Sequence, residues 1–399
     1  MRLSSPYQRL FTLPGFGGSL IAATSGKLQP GIFPLSLLLA VAHYRSMHTA
    51  AIVVALYSLG GATSPLRGRL LDRYGYARVM WPTLFLHLAV LSALVVNERA
   101  GGPLAVTGVC AVVATVTLPP VAIVTRLMWR SLATGDLRTT ALSLDAVLTD
   151  VGFIAGPSLA VFLVQWVAPW AGLAASALLM TIATILLLFS GRLPEQQLAP
   201  AVRDWLGPLR LRQLRKVLAS ALLFFLALQT IDLAFPAWAE EHDMPLMSGV
   251  LLSTMAIGSV TGGLVLGALP PKWSKRCGLS VTLTALAVGT GSAAAASETH
   301  LGVLVAAAAM LGLALGPTFV ALYGTVGDLA PADRAAEAQA WIISFMSIGG
   351  AAGSAISGIV SQKFGAGMAL FVASVCFAAA AVLAHTPQEG REPILGDAL

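Results

Sequence analysis

Long apolar runs, separated by short polar loops, limit the possible folds of this sequence more than any other feature. Each run has roughly the 20 residues that a helix needs to cross a lipid bilayer. The runs are too long for strands and too apolar around their circumference for helices on a soluble surface. The twelve predicted spans, first to twelfth, cover residues 17–42, 49–66, 78–97, 102–125, 139–166, 170–190, 217–238, 246–269, 278–297, 301–324, 336–361 and 365–385. The sequence therefore predicts an all-α membrane protein with twelve transmembrane helices.

The composition agrees with a chain that is solvated by lipid. Only 11% of the 399 residues are charged, whereas a soluble domain carries about 25%. The net charge is +6, but the basic residues lie in short loops and form no patch of the kind that binds nucleic acid. We therefore expect membrane lipids, and no nucleic acid, among the partners of this chain.

Motifs for catalysis, metals and cofactors are missing from the sequence. Cys110, Cys277 and Cys376 are isolated in apolar stretches, so neither disulfide bonds nor a metal site is predicted. There is no GxSxG, HExxH or P-loop motif. We expect neither an enzyme nor an ATP-driven pump, and no cofactor. A receptor or scaffold is a poor alternative because no predicted soluble domain could pass on a signal.

The basic residues also predict an orientation. If the N-terminus is cytoplasmic, 20 of the 24 Lys and Arg residues lie in inner segments, 3 lie in outer segments, and Lys27 lies inside a span. Because Lys and Arg concentrate in cytoplasmic loops, both termini are predicted to be cytoplasmic. The expected location is a cytoplasmic membrane, crossed many times.

The longest polar interruption divides the predicted spans six and six. We predict an N-terminal six-helix bundle over 1–190, a cytoplasmic basic linker over 191–216 and a C-terminal six-helix bundle over 217–399. Residues 203–216 mix apolar and basic side chains, which is typical of a helix on the membrane surface; a flexible linker is the alternative. Two parallel repeats of six helices are typical of transporters whose binding site lies between the halves at the midplane.

The loop between the second and third spans carries the most recognisable motif, Gly68-Arg-Leu-Leu-Asp72-Arg73-Tyr-Gly75-Tyr-Ala-Arg78. It resembles the signature loop of the major facilitator superfamily, G-x-x-x-D-R-x-G-R-R, at those five numbered positions. The resemblance implies two pseudo-symmetric six-helix bundles, the major facilitator fold, and transport by alternating access. It also implies that Asp72 lies at the N-terminus of the eleventh span, around 335–337, where a helix dipole favours an anion.

That contact would latch the two halves together while the cavity faces outward. Gly68 would let helices approach closely, and Gly75 would allow a tight turn. Arg73 and Arg78 would pair with inner-face acids or lipid phosphates, or simply reflect the basic inner face.

The fifth span resembles the G-x-x-x-G-P stretch of exporters in the same superfamily, with Gly152, Gly156 and Pro157. This favours export. The alternative is that the glycines serve helix packing and the proline produces a kink. The whole chain also resembles uncharacterised actinobacterial permeases of the superfamily.

Three ionisable residues inside the predicted spans are candidates for function: Lys27 in the first span, Asp150 in the fifth and Asp232 in the seventh. Each costs up to about 3 kcal/mol at the centre of a membrane helix. We hypothesise that the two aspartates bind protons or cations and that Lys27 pairs with one of them; a fixed ion pair is the structural alternative. Gln229 shares a helix face with Asp232 and could contact the substrate or a neighbouring helix.

The sequence thus predicts a secondary transporter of a small organic molecule that is coupled to protons and works as a monomer. Proton-coupled efflux (antiport) of an amphipathic or cationic compound is favoured, because an apolar cavity with one or two carboxylates suits such substrates. Proton-coupled uptake of a small organic solute is the alternative.

Overall fold

The computed structural model describes residues 6–190, 193, 207–270, 277–297 and 301–385. Within these residues the chain forms α-helices and short 3-10 turns, without strands. A short helix, Pro6–Phe11, precedes the first span. The spans, first to twelfth, are Phe16–Tyr44, Met47–Gly60 with Ser64–Tyr74, Tyr76–Arg99, Leu104–Val116 with Val121–Leu132, Leu137–Trp166, Ala171–Phe189, Arg212–Glu241, Pro245–Ala268, Leu279–Ala296, Leu301–Leu329, Ala335–Phe364 and Ala366–Ala384.

A helix occupies each of the twelve predicted spans. Among the described residues, eleven helical segments are long and apolar enough to cross a membrane by length and composition. The first span has 29 residues but is not among the eleven. It contains Lys27, Gln29 and two prolines, which lower its hydropathy. The chain is an all-α, multi-pass membrane protein.

Two spans are interrupted near their middle. A 3-10 turn, Gly61–Thr63, divides the second span, and residues 117–120 divide the fourth. Pro119 and Pro120 have no backbone N–H and cannot continue the helix. A carbonyl left free in a membrane needs a partner, and Arg67 supplies one by donating to the Leu118 carbonyl at 2.9 Å.

The large clusters of buried apolar side chains lie mainly within one half each, and a small cluster of Leu142, Ala146, Leu266 and Val320 joins the halves. One large cluster lies entirely between Leu214 and Ala381. Two clusters belong to the first half, and one of them also takes in Ala336 and Ala340 of the eleventh span. Most buried apolar contacts are therefore made within a half, and fewer are made between the halves.

Most of the predicted linker, residues 191–192 and 194–206, lies outside the described residues. Its described end forms a 3-10 turn, Gly207–Arg210, and the start of the seventh span, which begins at Arg212.

Glycines bring the first and fifth spans into backbone contact. A Cβ added at Gly152 would overlap the carbonyl of Lys27, and one added at Gly156 would overlap the backbone of Gly31. Such close approach is possible only where side chains are absent. Pro157 lies inside the continuous fifth span, and a kink there stays a prediction.

Candidate functional site

The two halves meet at the end of the bundle that carries the predicted cytoplasmic loops. Asp72 accepts hydrogen bonds from the backbone N–H groups of Ala336, at 3.0 Å, and Glu337, at 2.7 Å. Its carboxylate thus lies at the N-terminus of the eleventh span, where the resemblance implies it. The positive end of the helix dipole stabilises a carboxylate at this position.

In the same motif, the two glycines allow close packing and a turn, and the two arginines are exposed. A Cβ added at Gly68 would overlap the eleventh span, and Gly75 adopts a φ of 86° between the second and third spans. Arg73 and Arg78 are exposed, and neither pairs with an acid among the described residues. The expected pairing with an inner-face acid is made instead by Arg69, whose Nη2 lies 2.6 Å from Glu337 Oε1.

Further polar contacts join the halves at this end, which we call the closed end. Arg130 Nη2 lies 2.7 Å from Asp328 Oδ1. The Tyr7 hydroxyl donates to the Leu264 carbonyl at 2.9 Å, so that the N-terminal helix reaches the eighth span.

Closer to the middle of the bundle, Ser344 of the eleventh span donates to the Ala62 carbonyl at 3.0 Å. Among the described residues, no hydrogen bond or ion pair joins the halves at the opposite end. Polar contacts therefore hold the halves together at the end where Asp72 lies, and the described part of the chain makes none between the halves at the other end.

A buried ionic cluster lies above the closed end, inside the first half. Lys27 Nζ lies 3.0 Å from Asp145 Oδ1, and Arg126 Nη2 lies 3.1 Å from Asp145 Oδ2. All three side chains are at most 4% exposed. Lys27 also donates to the Thr149 hydroxyl at 2.6 Å. One carboxylate therefore serves two buried cations.

The prediction that Lys27 pairs with Asp150 or Asp232 is wrong. Asp145 and Thr149 are four residues apart and share the face of the fifth span that meets Lys27. Asp150 is on a different face, and its Oδ2 accepts a hydrogen bond from Ser259 of the eighth span at 2.6 Å. The charge of Lys27 still acts on Asp150.

Sequence reasoning missed Asp145 and Arg126. Arg126 follows the predicted end of the fourth span, so it counted as a loop residue, but the helix that restarts at Val121 continues to Leu132. Asp145 lies inside the predicted fifth span. A buried cation in a membrane needs an anion nearby. A search of every acidic residue in the predicted spans for a partner of Lys27 could therefore have found Asp145.

Arg126 extends the ionic cluster to the second half. Its guanidinium carbon lies 3.5 Å from the ring centroid of Tyr323, which is a close cation–π contact. Its Nη1 lies 3.4 Å from Gln339 Oε1. The cluster therefore contacts the tenth and eleventh spans while its charges stay in the first half.

The other two predicted site residues, Asp232 and Gln229, lie on the seventh span and are half-buried. Among the described residues neither forms a hydrogen bond or an ion pair. The structure therefore brings Lys27 and Asp150 into one region and leaves Asp232 and Gln229 outside it. No group of three His, Cys, Asp or Glu side chains in the described part of the chain could hold a metal ion.

Solved structures with a similar fold are membrane transporters. The chain is similar to the human organic anion transporter TETRAN, with 16% identity and a TM-score of 0.71, over 96% of this chain and 100% of that one. It is similar to a bacterial homologue of the iron transporter ferroportin in an outward-facing state, with 16% identity and a TM-score of 0.76, over 96% of this chain and 98% of that one. The fucose:proton symporter of Escherichia coli gives 13% identity and a TM-score of 0.69, over 96% and 98%.

At these identities the likeness concerns the fold alone, and no curated protein matches the sequence. The sequence model of the Major Facilitator Superfamily matches residues 15–354. This match covers most of the chain and includes the Asp72 loop, the ionic cluster and the N-terminal part of the span that receives Asp72. The chain belongs to the major facilitator superfamily and is a membrane transporter, not an enzyme.

Proposed function

We propose that this transporter exports an amphipathic or cationic small molecule in exchange for protons. The observation that carries the proposal is the position of Asp150, a half-buried carboxylate at the junction of the two halves, hydrogen-bonded to Ser259. A carboxylate in a membrane span is costly, and such residues are therefore candidates for function by default. Lys27, whose charge acts on Asp150, is already paired with Asp145, so Asp150 is free to exchange a proton.

Asp232 is the second carboxylate of the proposal. It lies on the seventh span, in the other half, without a hydrogen-bond or ion-pair partner among the described residues. A lone carboxylate in an apolar surrounding attracts either a proton or a cationic group of a substrate. We propose that Asp232, with Gln229 three residues earlier on the same helix, receives the cationic substrate and releases it when protons bind.

The ionic cluster has a different task in this proposal. Two buried cations on one carboxylate form a set that is costly to break. Lys27, Asp145 and Arg126 therefore stay together through the cycle and keep the first and fifth spans moving as one body. Tyr323 and Gln339, which Arg126 contacts, lie in the second half, and these contacts break when the halves move apart.

We also propose the direction of the closed end. With both termini in the cytoplasm, the closed end faces inward and the conformation is outward-facing. The contact of Asp72 with the eleventh span is the proposed latch of this state, and Arg69 and Glu337 support it. The bundle boundaries 1–190 and 217–399, action as a monomer and a place in the bacterial inner membrane belong to the same proposal.

A drug-sensitivity panel tests the proposal. Cells that express the chain are compared with cells that express Asp150→Asn or Asp232→Asn, on cationic, neutral and anionic amphipathic compounds, with and without a protonophore. We expect resistance to cationic compounds in the parent alone, abolished by the protonophore. Increased sensitivity of the parent to a compound, again dependent on the proton gradient, would contradict export and favour uptake.

A further inference from the structure

We propose that Ser259 is the positioning residue through which the protonation of Asp150 controls the closed end. The Ser259 hydroxyl holds the eighth span against the fifth by donating to ionised Asp150, and this hold weakens when Asp150 takes up a proton. The inference rests on the proposed function, in which Asp150 is a proton site.

Small residues bring these two spans together across the halves. Ser259, Gly263 and Gly267 are spaced by four and lie on one face of the eighth span. A Cβ added at Gly263 would lie 3.1 Å from Val147, and one added at Gly267 would lie 2.8 Å from the Ser143 side chain. The two helices therefore pack directly against each other where the halves meet.

A hydrogen bond lies at each end of the contact between the fifth and eighth spans. Near the closed end the Thr140 hydroxyl donates to the Gly267 carbonyl at 2.8 Å. Two turns farther into the bundle, Ser259 donates to Asp150 at 2.6 Å. Ser259 is 1% exposed, so water competes little for its hydroxyl. The Asp150–Ser259 bond is the inner of the two, and it is the one whose acceptor can change charge.

The charge of Asp150 decides the strength of this bond. A hydrogen bond to an ionised carboxylate is roughly twice as strong as a bond between neutral groups. The first, fourth, sixth, eighth and tenth spans and the N-terminal helix pack against the fifth span. Among the described residues of these elements, the charged group that acts on Asp150 is Lys27. The side chain that donates a hydrogen bond to Asp150 is Ser259.

The sign of the effect follows from these contacts. When a proton adds to a carboxylate oxygen of Asp150, the charge-assisted bond becomes a bond between neutral groups and the closed end loses stability. A proton that reaches Asp150 from the end opposite the closed end therefore favours separation of the fifth and eighth spans. Release of the proton on the other side restores the bond and favours closure.

The distance between the halves at the closed end tests this without a known substrate. Spin labels are placed on cysteines at the exposed positions Thr134 and Ala332, one in each half, after replacement of the three native cysteines. Distance distributions are measured in lipid nanodiscs at a series of values from about pH 8 to about pH 5. The variants are Ser259→Ala, Ser259→Thr, Asp150→Asn and the control Ser253→Ala, an exposed serine of the same helix.

We expect acidification to shift the parent and Ser253→Ala toward the longer distance. In Ser259→Ala the closed-to-open ratio at the higher pH falls about tenfold, which is about 1.4 kcal/mol, and the pH response is flattened. Ser259→Thr keeps the hydroxyl and recovers the response.

Two results separate the possible failures. A parent-like pH response in Ser259→Ala, together with its loss in Asp150→Asn, would overturn the role of Ser259 and leave Asp150 as the proton site. A parent-like response in Asp150→Asn would overturn the proposed function of Asp150 itself, and the inference with it.

Discussion

Lys27 and Asp145 form an ion pair in the middle of the first half, with the ammonium nitrogen 3.0 Å from a carboxylate oxygen and both side chains shielded from solvent. The pair joins the first and fifth spans, which also meet through Gly31, Gly152 and Gly156. Because Arg126 shares the same carboxylate, removal of Asp145 would leave two cations without their anion.

Asp145→Asn is therefore expected to be one of the most destabilising single changes in the chain. Breaking a buried ion pair by removing one partner costs about 3–5 kcal/mol. Thermal unfolding in detergent, followed by the loss of monodisperse protein, measures the effect. Asp136→Asn, at an exposed position just before the same helix, is the control, and a melting temperature of Asp145→Asn equal to that of the control would contradict the assignment.

Gly156→Ala tests the close approach of the first and fifth spans. The added Cβ would overlap the backbone of Gly31, and backbone cannot move aside as a side chain can. Overpacking of this kind costs about 1–3 kcal/mol. Gly358→Ala is the matched control, since a Cβ at that helical position meets nothing within 4 Å. Equal melting temperatures of the two variants would show that the spans do not pack as described.

The positions of the spans were predictable, whereas the pairing of the buried charges was not. Apolar length locates a span. The contact of Asp72 with the eleventh span was expected from the resemblance of the Gly68–Arg78 loop to the signature loop of the superfamily. The partner of Lys27 depends on the rotation of the fifth span about its axis. If the fifth span were rotated by the angle between successive residues, Asp145 would face away from Lys27 and another residue would face it. The sequence does not fix this rotation, because a helix that is apolar on all sides has little apolar periodicity.

Asp72→Asn is expected to weaken the closed end without unfolding the protein. The substitution removes the charge that the N-terminus of the eleventh span stabilises, and one oxygen that accepts a backbone N–H. Contributions of this size change an equilibrium by about 3- to 30-fold. The Thr134–Ala332 label pair reports the change as a larger share of the long distance. Arg73→Gln, which removes an exposed charge beside Asp72, should leave the distance distribution unchanged. A larger change in Arg73→Gln than in Asp72→Asn would contradict the proposed latch.

Tyr7→Phe tests the contact of the N-terminal helix with the eighth span. Loss of the hydrogen bond to the Leu264 carbonyl should lower the closed-to-open ratio about fivefold, as expected for about 1 kcal/mol. Burial raises the pKa of Tyr7 to about 12, so its contribution is complete below about pH 10 and is lost as the pH rises through about 12. The effect of Tyr7→Phe should therefore be the same at about pH 6 and about pH 8. An effect that disappears at either pH would show that the hydroxyl does not make this bond.

The central claim is that the half-buried carboxylates Asp150 and Asp232 couple protons to transport. Its most direct measurement is proton movement in lipid vesicles that contain the purified chain and an internal pH dye, after addition of a cationic compound to which the parent confers resistance. The account predicts a pH change that depends on the compound in the parent and in Asp136→Asn, and its loss in Asp150→Asn and Asp232→Asn. Parent-like proton movement in both variants would contradict it.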